Sequence, residues 1–185
     1  METENYLYEY FPLVNIDGEV TGKATRSECH GGAKLLHPVV HLHLFNGVGE
    51  LYLQKRPHYK DIEPDKWDTS VGGHVDYGES IEEALRREAY EELGVSDFIF
   101  HKLAAYIFES NIEKEYVHSF ITVYDGNVRP DPHELADGRF WKLTEISKML
   151  GNYFFTPNFE NEFNTIILPH YEYIKKILSA AAHSR

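Results

Sequence analysis

Three glutamates on one predicted helix are the residues of this sequence best suited to chemistry. The apolar stripe of that helix passes through Ile81 and Leu85. Its continuation falls on Glu88 and Glu92, and Glu91 lies at the edge of the same face. Carboxylates this close repel one another, and burying one without a partner is costly, so the arrangement calls for a hard divalent cation such as Mg²⁺ or Mn²⁺. The alternative is a solvated acidic face on a surface helix.

Local signals delimit this helix at both ends. Ser80 followed by Glu83 is typical of a capping box, and Gly94 is typical of a left-handed stop. We therefore predict a helix over Ile81–Leu93.

The elements around this helix read as one α/β domain over residues 1–185, without a repeat or a linker. Pro169 is expected to kink or split the last helix. The predicted elements are an N-terminal hairpin over 6–28, a second hairpin of Val39–Phe45 and Glu50–Gln54, strands over Trp67–Val71, Leu103–Phe108, Tyr116–Tyr124 and Arg139–Trp141, and helices over Thr144–Leu150 and 161–182.

Composition excludes several classes of function. The chain has 30 acidic and 18 basic residues, a formal charge of −12, so binding to a nucleic-acid polymer is not expected. Its single cysteine, Cys29, excludes an intramolecular disulfide and a cysteine-rich zinc site. No apolar run is long enough for a membrane span or a signal peptide, which favours a cytoplasmic protein without a membrane partner. We expect a monomer or a homodimer, with the aromatic run Tyr6, Tyr8, Tyr10 and Phe11 as a surface for a second subunit.

The spacing around the helix matches a known motif from residue 73 to residue 95. Gly73 is followed after five residues by Glu79, and after seven more by the run Arg87-Glu88-Ala89-Tyr90-Glu91-Glu92-Leu93-Gly94-Val95. This run has every fixed residue of the Nudix box, so the chain resembles the Nudix hydrolase superfamily. The resemblance implies a Nudix α/β/α sandwich with a mixed β-sheet. It also implies hydrolysis of a diphosphate linkage in a small nucleoside-diphosphate-like or other organic diphosphate.

The resemblance also implies roles for the residues of the box. Glu88, Glu91 and Glu92 would hold Mg²⁺ or Mn²⁺, with Gly73 placed where a backbone carbonyl reaches the metal or the loop turns sharply. Arg87 would orient the glutamates by pairing with carboxylates that include Glu79. The general base is left open between a box glutamate and a residue on a distant loop.

Outside the box, the chain resembles the branch that contains type I isopentenyl-diphosphate isomerase. That enzyme holds one metal ion with three histidines and two glutamates, and a mixed nitrogen and oxygen set suits Mn²⁺ or Zn²⁺. Without a metal, the same groups could form a hydrogen-bonded cluster, and each histidine alone could be an ordinary structural residue. The matching positions here are His30, His37, His74, Glu113 and Glu115.

Two departures from the isomerase pattern favour hydrolysis. Gly72 stands where the isomerase has its catalytic cysteine, and Glu88 stands where it has a basic residue. The alternatives are an isomerase-like enzyme and a non-catalytic Nudix-fold binding module, and the intact carboxylate set disfavours the latter.

Basic residues before the box offer an anchor for the substrate diphosphate. Arg26, Arg56 and Lys60 match positions that contact the diphosphate in the isomerase branch, although each could instead be a surface charge. The identity of the organic group is left open. Its recognition is expected from three loops, at 58–66, 108–116 and 153–163, which could equally be part of the core or a lid.

Overall fold

The structure is a computed structural model that describes residues 9–60 and 62–183. Tyr6 and Tyr8 of the predicted aromatic surface lie outside the described residues. The strands are β1 Tyr10–Val14, β2 Val20–Thr25, β3 Leu36–Phe45, β4 Leu51–Lys55, β5 Trp67–Asp68, β6 Val71–His74, β7 Phe100–Glu109, β8 Lys114–Val123 and β9 Asp137–Trp141. The helices are α1 Arg26–Cys29, α2 Ile81–Leu93, α3 Leu143–Met149, α4 Pro157–Glu162 and α5 Tyr171–His183, with a π-helical segment at Phe163–Ile167.

The main sheet is mixed, as the sequence predicted. Its strands run in the order β5-β4-β3-β8-β7, with β6 also paired to β3 and β9 to β4. Strands β3 and β8 are parallel from Leu36 opposite Lys114 to Phe45 opposite Val123. The remaining pairs are antiparallel, and β1 and β2 form a separate hairpin.

Helices cover both faces of the main sheet, and the long central strand β3 is therefore buried on both sides. Val40, Leu42 and Leu44 belong to a core that includes Leu85 and Leu93 of α2. On the other side, Phe45 belongs to a second core that the C-terminal helices complete. Burial of each large apolar side chain contributes roughly 1.5–3 kcal/mol relative to exposure. The predicted α/β/α sandwich is therefore confirmed. The C-terminal residues of the second core are Phe159, Phe163, Ile167, Ile174 and Ile177.

The helix that carries the box has the predicted bounds. The Ser80 hydroxyl accepts a hydrogen bond from the Glu83 N–H, and the Glu83 carboxylate accepts one from the Ser80 N–H. At the other end, Gly94 has φ of 66° and its N–H donates to the Tyr90 carbonyl. Local signals within the sequence are therefore sufficient to define α2.

The C-terminal region differs from the single helix predicted over 161–182. Helix α4 begins earlier because Thr156 caps it, and Pro157 occupies its first turn without needing an amide partner. Pro169 falls in the turn between the π-helical segment and α5, where its missing N–H cannot continue a helix. The split at Pro169 is confirmed, but the predicted start at residue 161 is wrong.

Several strand boundaries differ from the prediction by one to three residues, and two differences change the elements themselves. The strand predicted over Trp67–Val71 is two short strands, β5 and β6, with Thr69 and Ser70 buried between them. The predicted hairpin over 6–28 ends at Thr25, because Thr25 and Glu28 form a capping box that starts α1. Within the described residues, no helix combines the length and apolar content that a membrane span requires.

Candidate active site

Gly73 places the box glutamates directly against the sheet. It pairs with Val40 in the register of β6 on β3. A Cβ atom at Gly73 would lie 2.0 Å from Cδ of Glu88, so a side chain at this position would occupy the volume of the carboxylate. Glycine thus lets the Glu88 carboxylate approach the backbone of β6, where a metal ion could contact both.

Arg87 connects four groups of the box. Its Nε and Nη2 donate to the two oxygens of Glu79, each at 2.9 Å. Its Nη1 donates to Glu88 at 2.7 Å and to Glu91 at 3.1 Å, and Nη2 also donates to the His74 carbonyl at 2.9 Å. This planar fork fixes the loop and the helix relative to each other.

The partly buried position of two carboxylates gives the site its electrostatic character. Burial raises the pKa of Glu88 to about 7, although Arg87 opposes the shift. Burial also raises the pKa of Glu92 well above its ordinary value, and repulsion from Glu88 adds to it. Glu92 accepts hydrogen bonds from the Gln54 amide at 3.1 Å and the Gly72 N–H at 3.2 Å. An all-oxygen set with excess buried negative charge fits a hard divalent cation.

The three basic residues that the sequence predicted for diphosphate binding line one cavity with the box. This cavity has a volume of about 950 Å³. Each cation already has a partner there: Arg26 lies 3.5 Å from Glu9, Arg56 lies 3.4 Å from Asp68, and Lys60 lies 2.9 Å from Glu134.

The three predicted histidines come together beside the box. One ring nitrogen from each of His30, His37 and His74 lies within 4.8 Å of the others. Nε2 of His30 is 3.0 Å from Nε2 of His74 and 3.6 Å from Oε2 of Glu113. Burial lowers the pKa of all three rings, to about 4 for His30, so they are neutral, as metal ligands must be.

Glu115 forms its side-chain hydrogen bond with a residue outside the predicted cluster. It pairs with His37 across β3 and β8, but its Oε2 accepts a hydrogen bond from Asn158 Nδ2 at 2.9 Å. The close group of ligand atoms contains the three histidines and neither Glu113 nor Glu115. Burial raises the pKa of Glu115 to about 8, and repulsion from Glu113 adds to the shift.

A second cavity of about 1230 Å³ adjoins the first. The residues that line both cavities are Arg26, Gln54, Arg56, Lys60, Gly72, Gly73 and His74. The predicted loop at 153–163 proves to be mostly helix α4, and its Asn158 lines the second cavity. Residues of 58–66 and of 108–116 line the same cavity, but the second range is a loop only at 110–113, because β7 ends at Glu109 and β8 begins at Lys114.

Sequence reasoning missed the residues that support this site from other elements. Gln54 on β4 holds Glu92, and Glu162 on α4 accepts a hydrogen bond from His41. Glu162 lies between Phe159 and Phe163 in the sequence, and a carboxylate flanked by apolar residues at helical spacing was the available signal.

Comparisons with known proteins identify the family and the fold of this chain. The family model of the NUDIX domain matches residues 35–159. An uncharacterized Nudix hydrolase of Listeria monocytogenes is 33% identical over 82% of this chain and 90% of its own length. A protein of Leifsonia xyli named isopentenyl-diphosphate Delta-isomerase is 30% identical over 85% of this chain and 88% of its own length. A protein of Deinococcus radiodurans with a known crystal structure is 30% identical to this chain. The two structures superpose over 76% of this chain and 90% of the other, with a TM-score of 0.65.

Proposed function

The chain belongs to the Nudix hydrolase family, and from this premise we propose that it cleaves a P–O–P linkage in a small organic diphosphate with the help of Mg²⁺ or Mn²⁺. One observation carries the proposal. Glu88 and Glu92 are inward-facing carboxylates beside Gly73, at the edge of a cavity that also contains three basic side chains.

The carboxylates and the backbone carbonyl of Gly73 are the groups that would hold the metal. When bound, a divalent ion neutralises diphosphate oxygens and acidifies a water molecule. Glu91 is more exposed than Glu88, with 53% of its side chain accessible against 15%, so it can reach a ligand from the solvent side. Arg87 holds Glu88 and Glu91 in position through its hydrogen bonds.

The basic side chains would bind the diphosphate. The wall of the first cavity includes Arg26, Arg56 and Lys60, which all precede α2 in the sequence. A chain with a formal charge of −12 needs such a local cationic group to attract an anionic substrate. Since each cation is paired with a carboxylate or carbonyl group, binding of the diphosphate would exchange those partners for phosphate oxygens.

A panel of diphosphates tests the function directly. Purified protein is incubated with nucleoside diphosphate derivatives and prenyl diphosphates in Mg²⁺, in Mn²⁺ or in excess EDTA, and phosphate release and product mass are measured. We expect hydrolysis of at least one class with either metal and none in EDTA. Equal turnover in EDTA, or no hydrolysis anywhere in the panel, would contradict the proposal.

We also propose that His30, His37 and His74 form a second metal site, with Glu113 as a carboxylate ligand and Glu115 at its edge. Support comes from three neutral imidazoles whose nitrogens already lie within 4.8 Å of one another. Nitrogen and oxygen ligands in this mixture suit Mn²⁺ or Zn²⁺. Elemental analysis of protein purified without added metal, compared with a His37→Ala and Glu115→Ala double variant, tests the site. Equal metal content in the two proteins would contradict the second metal site.

The histidine cluster and the isomerase-named relatives support one second candidate, an isomerase-like activity. Gly72 argues against it, because isomerisation needs a proton delivered to an alkene and glycine has no group to deliver it. Space does not exclude a side chain there, since a Cβ atom would make ordinary contacts of 3.4 Å with Thr69 and 3.6 Å with His41.

A further inference from the structure

His41 and Glu162 form a buried ion pair under the second cavity. Nδ1–H of His41 donates to Oε2 of Glu162 over 2.7 Å, and Nε2 of His43 lies 3.0 Å from the other carboxylate oxygen. Glu162 and His43 are completely buried, whereas His41 retains 7% of its surface exposed. The contact with Glu162 uses one nitrogen of the His41 ring and leaves the other edge available.

That other edge faces the cavity through the gap that glycine leaves at position 72. A Cβ atom at Gly72 would lie 3.6 Å from Cδ2 and 3.7 Å from Nε2 of His41. Both residues line the second cavity. Within the parts of the chain that the structure describes, no protein group forms a hydrogen bond with this Nε2. A nearly buried ring nitrogen is thus directed at the space where a ligand would lie.

Helix α4 builds the rest of this wall. Asn158, one turn before Glu162, donates to Glu115 at 2.9 Å and accepts from the Tyr106 hydroxyl at 3.0 Å. The Thr156 hydroxyl, which caps the helix, donates to Asp68 at 2.8 Å. These bonds hold α4 against β5, β7 and β8, so the position of Glu162, and with it that of the His41 ring, is set before any ligand enters.

The charged groups that act directly on His41 favour one kind of oxygen as its partner. Burial alone would lower the pKa of His41, but the Glu162 carboxylate raises it to about 9, so the ring is protonated and Nε2 is a donor. The Asp68 carboxylate acts on the His41 ring and would repel an anionic substituent placed against it, while the cations Arg26, Lys34, Arg56 and Lys60 line other parts of the cavity. A neutral hydroxyl oxygen accepts from His41 without that repulsion.

We propose that His41 is a substrate-binding residue that donates its Nε2–H to a hydroxyl group on the organic part of the diphosphate substrate, and that Glu162 is a positioning residue that orients its ring. This rests on the proposed function, because it places the diphosphate in the first cavity and the organic part in the second. Substrates with a hydroxyl group near the diphosphate are therefore preferred over purely hydrocarbon ones.

Binding of matched probes tests the proposal without any turnover. The probes are non-hydrolysable alkyl methylenediphosphonates of three, four and five carbons, each with and without a terminal hydroxyl group, titrated by calorimetry in Mg²⁺. We expect at least one hydroxylated probe to bind the wild type about tenfold to a hundredfold more tightly than its partner, as for a hydrogen bond to a charged group. Equal affinity at every length would overturn the proposal.

Variants identify the donor. His41→Leu is expected to bring the preference to about one, whereas His43→Leu, which removes a neighbouring contact of Glu162 without altering a cavity-lining residue, is expected to retain it. Glu162→Gln is expected to reduce the preference and to shift the ¹⁵N resonance of His41 Nε2 in the free protein. A preference that survives His41→Leu would overturn the assignment.

A measurement on the wild type covers the case in which these variants fold poorly. The hydroxylated probe should shift the ¹⁵N resonance of His41 Nε2 and its partner probe should not. Failure of the proposed function would be distinct, since it would appear as absent phosphate release from hydrolysable diphosphates while this preference persists.

Discussion

The surroundings of Glu92 indicate a chemical role for this residue and not only a structural one. Glu92 is partly buried next to Glu88, and its two hydrogen bonds come from neutral donors, the Gln54 amide and the Gly72 N–H. Neutral donors lower the cost of burying a carboxylate but do not cancel its charge. Glu92 is therefore poorly suited to a purely structural role, which supports the proposal that it binds a cation.

Replacement of Glu92 by glutamine should lower kcat at least about a hundredfold, because the variant loses a charge that holds the metal. Steady-state phosphate release measures the effect. Glu82→Gln is the matched control. Glu82 lies on the exposed side of the same helix, and among the described residues its only salt-bridge partner is Arg86. Full activity of Glu92→Gln would defeat the assignment of the site.

The same substitution should not unfold the protein when metal is absent. Removing one of two neighbouring, partly buried carboxylates relieves repulsion and a desolvation cost, so the midpoint of thermal unfolding in EDTA should be equal to or above that of the wild type. A large decrease in that midpoint would show that Glu92 is structural.

Gly73→Ala should abolish most of the activity by moving Glu88, because the new Cβ atom would lie 2.0 Å from Cδ of that carboxylate. Phosphate release and the far-ultraviolet circular dichroism spectrum are compared with those of Gly22→Ala. A Cβ atom at Gly22 meets no atom within 4 Å, so this control should retain both. Unchanged activity in Gly73→Ala would mean that the approach of Glu88 to the backbone is not required.

Gly72→Cys should fit its site but should not create an isomerase. Ordinary contacts surround the added Cβ atom, yet Glu88 would still place a carboxylate where the isomerase branch has a basic residue. Allylic product formed from isopentenyl diphosphate at enzymatic rates, about 1 to 10³ s⁻¹, would refute this.

At the scale of elements, α4 links the C-terminal half of the chain to the site. It contributes Phe159 to the core below the sheet and Glu162 to the ion pair with His41. Loss of the carboxylate should therefore destabilise the whole domain and not only the helix, since removing one partner of a buried pair leaves an uncompensated charge.

The contribution of this pair depends on pH. Glu162 raises the pKa of His41 from 6.5 to about 9 against the effect of burial, so this part of the stability is complete below pH 6.5 and is lost as pH rises through about 9. The pKa of Glu162 itself is lowered by His43 and His41, although burial opposes the shift. The stability that the Glu162 carboxylate contributes is present above about pH 4.5, and it is lost only when the pH falls through the lowered pKa of Glu162.

The Glu162→Gln variant should therefore differ most from the wild type in unfolding midpoint between about pH 4.5 and 6.5, by roughly 3–5 kcal/mol of unfolding free energy, and least above pH 9. Thermal unfolding across pH 4 to 10 measures this. Asp65→Asn is the control, because the His58–Asp65 pair is exposed and its loss should not reproduce the profile. A constant difference across the range would contradict the ion pair.

At the scale of the whole molecule, the proposed metal site would join α2 to the sheet at Gly73 and His74, so we expect only the folded state to bind the ion. Mg²⁺ or Mn²⁺ at about 100 times its dissociation constant should stabilise the wild type by about 2.7 kcal/mol. The rise in unfolding midpoint should be much smaller for Glu92→Gln. An equal rise in both proteins would place the ion elsewhere.

The amino-acid sequence by itself determined the features that depend on neighbours along the chain. Ser80, Glu83 and Gly94 specify α2 through bonds within a few residues, and the regular spacing from Gly73 to Glu92 then places the carboxylates on one face. Pro169 likewise predicted the split in the C-terminal region, because the missing N–H acts locally.

Only the tertiary structure decided the contacts between distant segments. The sequence proposed the histidine set, but the distances within it depend on α1, β3 and β6 meeting at one end of the sheet. The pairing of Gln54 with Glu92, and of His41 with Glu162 across 121 positions, left no local pattern to detect. Side chains from separate elements meet through packing of the whole core, and a short window of sequence does not contain that information.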